Sequence, residues 1–314
     1  MTRARPGTRA RRRPRAALAG ALAASLLLAG CGSTYSPTRK PRPTVAAGHR
    51  VGAQAASECG DRLQSYAPAA GPVPWRLDNL TVEVNTDAPS LSFRNQDGNL
   101  EGFEIDLARA VADHLYGERG HLRLIPVTDD EQLLPRLGSS RHLLIGQVPI
   151  SCTNLERATL SATYLTTSTS LLVRAGDPTT LDEPSLERLP YPSRRICTNA
   201  GTIQPNLEGA LAAESPSQCL MWLQQGDVDL IVTETAQAAG LLKQDRTLRE
   251  LARLPGTVNY GIAASRDDAE IQTGVNAALS QWIASGGWQQ SYDRWLRADL
   301  GDGRPPQPSY GRTP

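Results

Sequence analysis

From Leu80 onward the chain alternates strand-like and helix-like segments, and it does so twice. "LTVEVN" (80–85) alternates apolar and polar side chains at the period of a strand. After the turn-rich "TDAPSLSFRNQDGN", the segment "GFEIDLARAVADHLYG" places Phe103, Leu107, Val111 and Leu115 on one stripe of a helix. "HLRLIPV" predicts the next strand, "DDEQLLPRLG" a short helix with an acidic first turn, and "HLLIGQV" a buried strand. Strand, helix, strand, helix, strand implies a mainly parallel sheet with right-handed crossovers.

The second half repeats the theme after "STSLLVRAG". "RRICTN" and "VDLIV" read as strands, "GTIQPNLEGALAA" as a loop entering a helix, and "SQCLMWLQQGD" and "TETAQAAGLLKQ" as helices. "VNYGIAAS" is a further strand, followed by a helix with Ile271, Val275, Ala278, Leu279 and Trp282 on one face, and "WQQSYDRWLRADL" is a last helix. Two such sets predict an α/β fold of two lobes, with a ligand crevice beyond the carboxyl ends of the strands.

The first fifteen residues hold seven arginines and no acid, and the short apolar run "AALAGALAASLLLAG" follows. That order predicts a secretory signal peptide over 1–30. Leu28-Ala29-Gly30-Cys31 has the form of a lipobox, so Cys31 is expected to carry a diacylglyceryl group that anchors the chain at the extracytoplasmic face of the cell membrane. Residues 31–75, rich in Pro, Gly, Ser and Ala, predict a flexible tether, and 298–314, with "GDGRPPQPSYGRTP", a disordered tail. Removing 1–30 takes seven of the 33 basic residues and none of the 32 acidic ones, leaving 26 against 32, or −6. A mildly acidic exported chain argues against nucleic acid as a partner.

Apart from Cys31, four cysteines remain: Cys59, Cys152, Cys197 and Cys219. An even number in an exported chain predicts two disulfides, with three possible pairings. Metal is not expected, because no C-x-x-C or H-x-x-x-H spacing occurs and His49, His114, His121 and His142 are scattered.

Several segments in order, "DGNLEGFEIDLARAVADHL", "SCTNLERATLSATY", "ICTNAGTIQPN", "CLMWLQQGDVDLIVTETAQAAGL" and "NYGIAASRDDAEIQTGVNAALSQWIASGGWQQSYDRWL", resemble the type 3 extracellular solute-binding family, the amino-acid receptors of ABC importers. The nearest look-alikes are its actinobacterial glutamate/glutamine-binding lipoproteins. The resemblance implies a type II periplasmic-binding-protein fold with mixed, mostly parallel sheets. Lobe 1 would comprise 77–168 with 260–297 and lobe 2 172–256, hinged by crossing strands near 165–175 and 255–263. It implies a monomeric receptor for an amino acid or related small polar solute, with ABC permease subunits as partners, no cofactor and no enzymatic activity. The alternative is a receptor-like lipoprotein with an altered or lost solute, acting in sensing or signalling at the cell surface. The resemblance also implies the pairings Cys59–Cys152 and Cys197–Cys219.

An α-amino-acid site needs a cation and backbone N–H groups for the carboxylate and an acid for the ammonium. Aligning the family pattern on Cys152 and Ser161-x-x-Tyr164 places Asn154 where the family usually has the carboxylate-binding Arg, with Arg157 out of register as a surface charge. Ser151 lies in the same segment, Pro149 falls where a Thr often donates its N–H, and Leu91 falls where an aromatic covers the ligand. In lobe 2, Gly201 and Thr202 resemble the family's anion-binding turn, and Glu234 takes the position of the acid for the ammonium. Thr86 and Asp87 could reach the cleft from the first loop, with a turn-forming pair as the alternative.

Overall fold

The computed structural model describes residues 59–70, 79–117, 122–127, 142–181, 195–199, 210–266 and 268–312. A short strand β1 (Ser65–Tyr66) precedes β2 (Leu80–Asn85), the small hairpin of β3 (Phe93–Arg94) and β4 (Leu100–Glu101), and helix α1 (Phe103–Tyr116). Strands β5 (Leu122–Val127) and β6 (His142–Ile145), the one-turn helix α2 (Cys152–Leu155) and β7 (Ala158–Leu160) follow. The second set contains β8 (Leu165–Arg174), β9 (Ile196–Asn199), β10 (Leu211–Ala213), α3 (Pro216–Gln225), β11 (Leu230–Glu234), α4 (Thr235–Gln244) and β12 (Leu248–Tyr260). The chain then returns through β13 (Ala263–Ser265), α5 (Ala269–Ala284), α6 (Gly287–Trp295), α7 (Arg297–Leu300) and β14 (Tyr310–Arg312).

Ten of these strands form two five-stranded sheets, ordered β5-β2-β6-β13-β7 and β10-β9-β11-β8-β12, and the other four pair as β1-β14 and β3-β4. In the first, β5, β2 and β6 run parallel and β13 is antiparallel to β6 and β7. In the second, β10, β9 and β11 are parallel and β8 runs against both β11 and β12. Each sheet with its helices is one lobe. The chain passes between them along β8 and β12, which pair antiparallel from Leu165 opposite Tyr260 to Arg174 opposite Leu248.

In the first lobe, β2 turns Val82 and Val84 toward α1, whose Phe103, Leu107 and Val111 are fully buried. Each such side chain contributes roughly 1.5–3 kcal/mol on leaving water. Phe103 is the hub: its ring lies 5.5 Å from Trp282 and 5.7 Å from Trp288, which in turn stacks on Tyr292 at 4.9 Å. Helix α1 can enter this close only after Gly102, at φ 128°, because a Cβ there would stand 2.3 Å from the Leu91 carbonyl oxygen.

In the second lobe, α3 shows why its sequence is a helix. The Ser215 hydroxyl accepts the Gln218 N–H at 3.3 Å, Pro216 fills the first turn, and Gly226 ends the helix in the left-handed region. The disulfide Cys197–Cys219 then fastens α3 to β9, both sulfurs fully buried. The other disulfide, Cys59–Cys152, ties the entering chain to α2.

Three expectations change. Residues 59–70, within the expected tether, are held by that disulfide and by the Asn276 side chain, which donates to the Ser65 hydroxyl and the Tyr66 carbonyl. Residues 301–312, within the expected disordered tail, include β14, which pairs with β1, and Tyr310, whose hydroxyl meets that of Ser280 at 2.9 Å. The apparent helix entry at 210–213 is the edge strand β10, drawn into parallel register with β9. In each case a partner distant in sequence overrides local composition.

Candidate functional site

The carboxyl ends of β2 and β6 meet a buried acid. Glu104, in the first turn of α1, is fully buried. Its carboxylate accepts the Tyr164 hydroxyl at 2.5 Å, the Gln147 backbone N–H at 3.1 Å and the Gln147 side-chain amide. Burial raises its pKa to about 7, and these hydrogen bonds, Tyr164's first, pull the other way. Burial likewise pushes the Tyr164 phenol well above its ordinary value, and the charge of Glu104 adds to it.

The bonds to Glu104 hold Gln147 at φ 53°, a conformation uncommon for a side-chain-bearing residue. Gln147 in turn accepts the Asn85 side-chain amide at 3.3 Å, and the Asn85 side-chain oxygen accepts the Asp87 N–H at 2.8 Å. The sequence reading missed Glu104 and Gln147. The available signal was an acid set between Phe103 and Ile105 in a helix turn, which by itself also describes an acid favouring a helix N-terminus.

The segment 149–157 forms the edge of this lobe. Ser151 caps α2, its hydroxyl accepting the Asn154 N–H at 3.2 Å. The Asn154 side-chain amide donates to the Pro149 carbonyl at 2.8 Å, an intrasegment bond that fixes it across its own turn. Arg157 is exposed. Thr86 is half-buried, its N–H bonded to the Val127 carbonyl at 3.0 Å. Leu91 corrects the expectation of a ligand cover: it is fully buried in the apolar core of the first lobe, because Gly102 brings α1 directly against it.

Asp87 reaches out of the first lobe, but its partner is protein. One carboxylate oxygen accepts the Ser217 N–H at 3.2 Å and the other the Ser217 hydroxyl, at the start of α3 in the second lobe. Glu234 ends β11 and precedes α4, is fully buried and stands opposite Thr169 of β8. The first turn of α4 takes its acceptor from the connecting strand: the Thr167 hydroxyl accepts the Ala236 N–H at 3.1 Å. Thr235 is bonded to the hydroxyls of Ser168 and Ser170, each at 2.8 Å. Gly201, Thr202 and Cys31 lie outside the described residues. Among the described residues there is no cluster of side chains able to hold a metal, and no helix is long and apolar enough to cross a membrane.

The model of the bacterial extracellular solute-binding proteins, family 3, matches residues 80–298, more than half of the chain. The chain belongs to this family. Members similar to it include the glutamine-binding protein GlnH of an ABC transporter in Bacillus subtilis, 21% identical over 71% of this chain and 82% of that one. The glutamate-binding protein GluB of Corynebacterium efficiens is 27% identical over 71% of this chain and 79% of that one. Among solved structures, the solute receptor for L-cysteine of Neisseria gonorrhoeae superposes with a TM-score of 0.64 at 15% identity, covering 71% of this chain and 92% of that one. The two sheets and the strands between them are therefore the type II periplasmic-binding-protein fold, and both disulfides pair as the family resemblance implies.

Proposed function

We propose that this chain is an extracytoplasmic receptor that captures an amino acid of the glutamate/glutamine kind and presents it to the permease of an ABC importer, as a monomer held to the cell membrane by a lipid on Cys31. The paired strands β8 and β12 carry the reading: they join two separate lobes, the arrangement in which one lobe can swing against the other around a solute. Relatives that bind glutamine and glutamate support the solute class. Ser151, Asn154 and Thr86 would face the solute from the first lobe, and Gly201, Thr202 and Glu234 from the second. Glu234 would take the ammonium and the Gly201-Thr202 turn part of the carboxylate. No catalytic step is assigned to this site.

A second reading, a surface receptor whose solute is altered or lost and which senses or signals, is favoured by Asn154. A neutral amide stands where a cation is usual, and it is already bonded to Pro149. Thermal unfolding of the purified chain with L-glutamine, L-glutamate, L-aspartate, L-asparagine or L-arginine separates the two. A ligand at 100 times its Kd stabilises by about 2.7 kcal/mol, so a true solute raises the midpoint by several degrees. No shift with any of the five supports the second reading.

A further inference from the structure

We infer that the loop from Asp87 to Ser92 is a clasp, in which Asp87, Pro89 and Ser90 set the balance between open and closed forms without touching the solute. The inference rests on the two-lobed receptor reading, and the identity of the solute does not enter it.

Three contacts seat this first-lobe loop between α3 and α4 of the second lobe. Asp87 satisfies Ser217 at the α3 N-terminus, accepting both its N–H and its hydroxyl. That N–H is one of the donors a helix start leaves unpaired, and a negative charge is favoured there. Pro89 packs against Gly240 of α4 so closely that a Cβ at Gly240 would lie 3.0 Å from both the ring and the carbonyl oxygen of Pro89. Ser90, at φ 72°, accepts the Lys243 ammonium at 2.8 Å. Lys243 also pairs with Asp299 of α7 at 2.5 Å, which returns the contact to the first lobe.

Every one of these contacts has a partner in each lobe, so separation of the lobes about β8 and β12 breaks all of them. Their weights differ. The Lys243 side chain is 47% exposed, so its ion pair is screened and contributes little. The charge-assisted pair of bonds at Asp87 is the strong element, and the glycine at 240 is what allows the approach. The carboxylate that could have met a solute ammonium is thereby engaged by protein. The closed form is held in part by the chain itself, so closure does not depend wholly on solute.

The test measures the distance between the lobes without solute. Spin labels at Asp113→Cys and Gln225→Cys, both exposed and on different lobes, are read in the full chain carrying Cys31→Ser. The solute-free chain should show a major short distance. Asp87→Ala and Ser217→Ala should each raise the ratio of open to closed by on the order of tenfold, as expected for losing a charge-assisted bond. Gly240→Val should open the lobes by wedging Pro89 away, while far-ultraviolet circular dichroism and both disulfides stay intact. A solute-free chain that is already mainly open, or an unchanged distribution in Asp87→Ala and Gly240→Val, overturns the clasp. Adding L-glutamine to the same samples keeps the two ideas apart: no response to it counts against the glutamine-like solute, whereas the clasp stands or falls on the solute-free distances.

Discussion

Glu104→Gln should change how stability depends on pH, in a direction the structure fixes. In the unfolded chain the carboxyl titrates near 4.5, and in the folded protein near 7. Between these values the folded state binds the extra proton, so stability falls as pH rises through this window and the loss is complete above about 7. A rise from 4.5 to about 7, at about 1.4 kcal/mol per pH unit, makes the full effect about 3 kcal/mol. From pH 5 to pH 8 the part in view is about 2–3 kcal/mol. Glutamine keeps an acceptor for the Tyr164 hydroxyl and cannot ionise. Urea unfolding of both proteins at half-unit steps from pH 5 to 8, disulfides oxidised, reads the difference. Other carboxyls cancel in the comparison, and Tyr164 stays protonated throughout because its phenol is pushed upward. Stability of the native chain relative to Glu104→Gln should decline by that amount as pH rises. A flat difference, or one that grows with pH in favour of the native chain, would show that Glu104 is not a buried acid held near neutrality.

Two further outcomes are expected. Calorimetry should show Asn154→Ala weakening solute binding several-fold while Arg157→Ala leaves it within twofold; loss of binding in Arg157→Ala alone would make Arg157 the carboxylate partner. Cys197→Ser with Cys219→Ser should lower unfolding stability by about 3 kcal/mol in urea, since the bond closes a loop of 22 residues. A loss below 1 kcal/mol would mean that the buried contacts of α3 on β9 do the holding by themselves.

Much of the fold was legible because local pattern and burial agree. The alternation in "LTVEVN" turns Val82 and Val84 to the core, and the stripe through Phe103, Leu107 and Val111 is the buried face of α1. Where partners come from far along the chain, pattern fails. Leu211–Ala213 looks like a helix entry because Ala and Leu favour helices, yet an open edge beside β9 recruits it as a strand. The Pro- and Gly-rich end looks unstructured, yet Gly303 lies directly against the Tyr292 ring and β14 completes a ladder with β1. Helix α2 is a single turn, too short to show a period.

The site was less legible than the fold. The position of Asn154 follows from alignment, but its bond to Pro149 depends on how a four-residue helix is capped. Asp87 reads as a turn residue or a solute contact, and only the approach of α3 reveals Ser217 as its partner. Glu104 owes its burial to Gln147 and Tyr164, which lie 43 and 60 residues away.

Isothermal titration of the purified chain with L-glutamine and L-glutamate tests the receptor reading most directly. One of the two should give a saturable heat at one solute per chain, with a negative heat-capacity change as the lobes bury apolar surface. No heat with either, on protein whose disulfides and circular dichroism report a native fold, would contradict a glutamate/glutamine receptor.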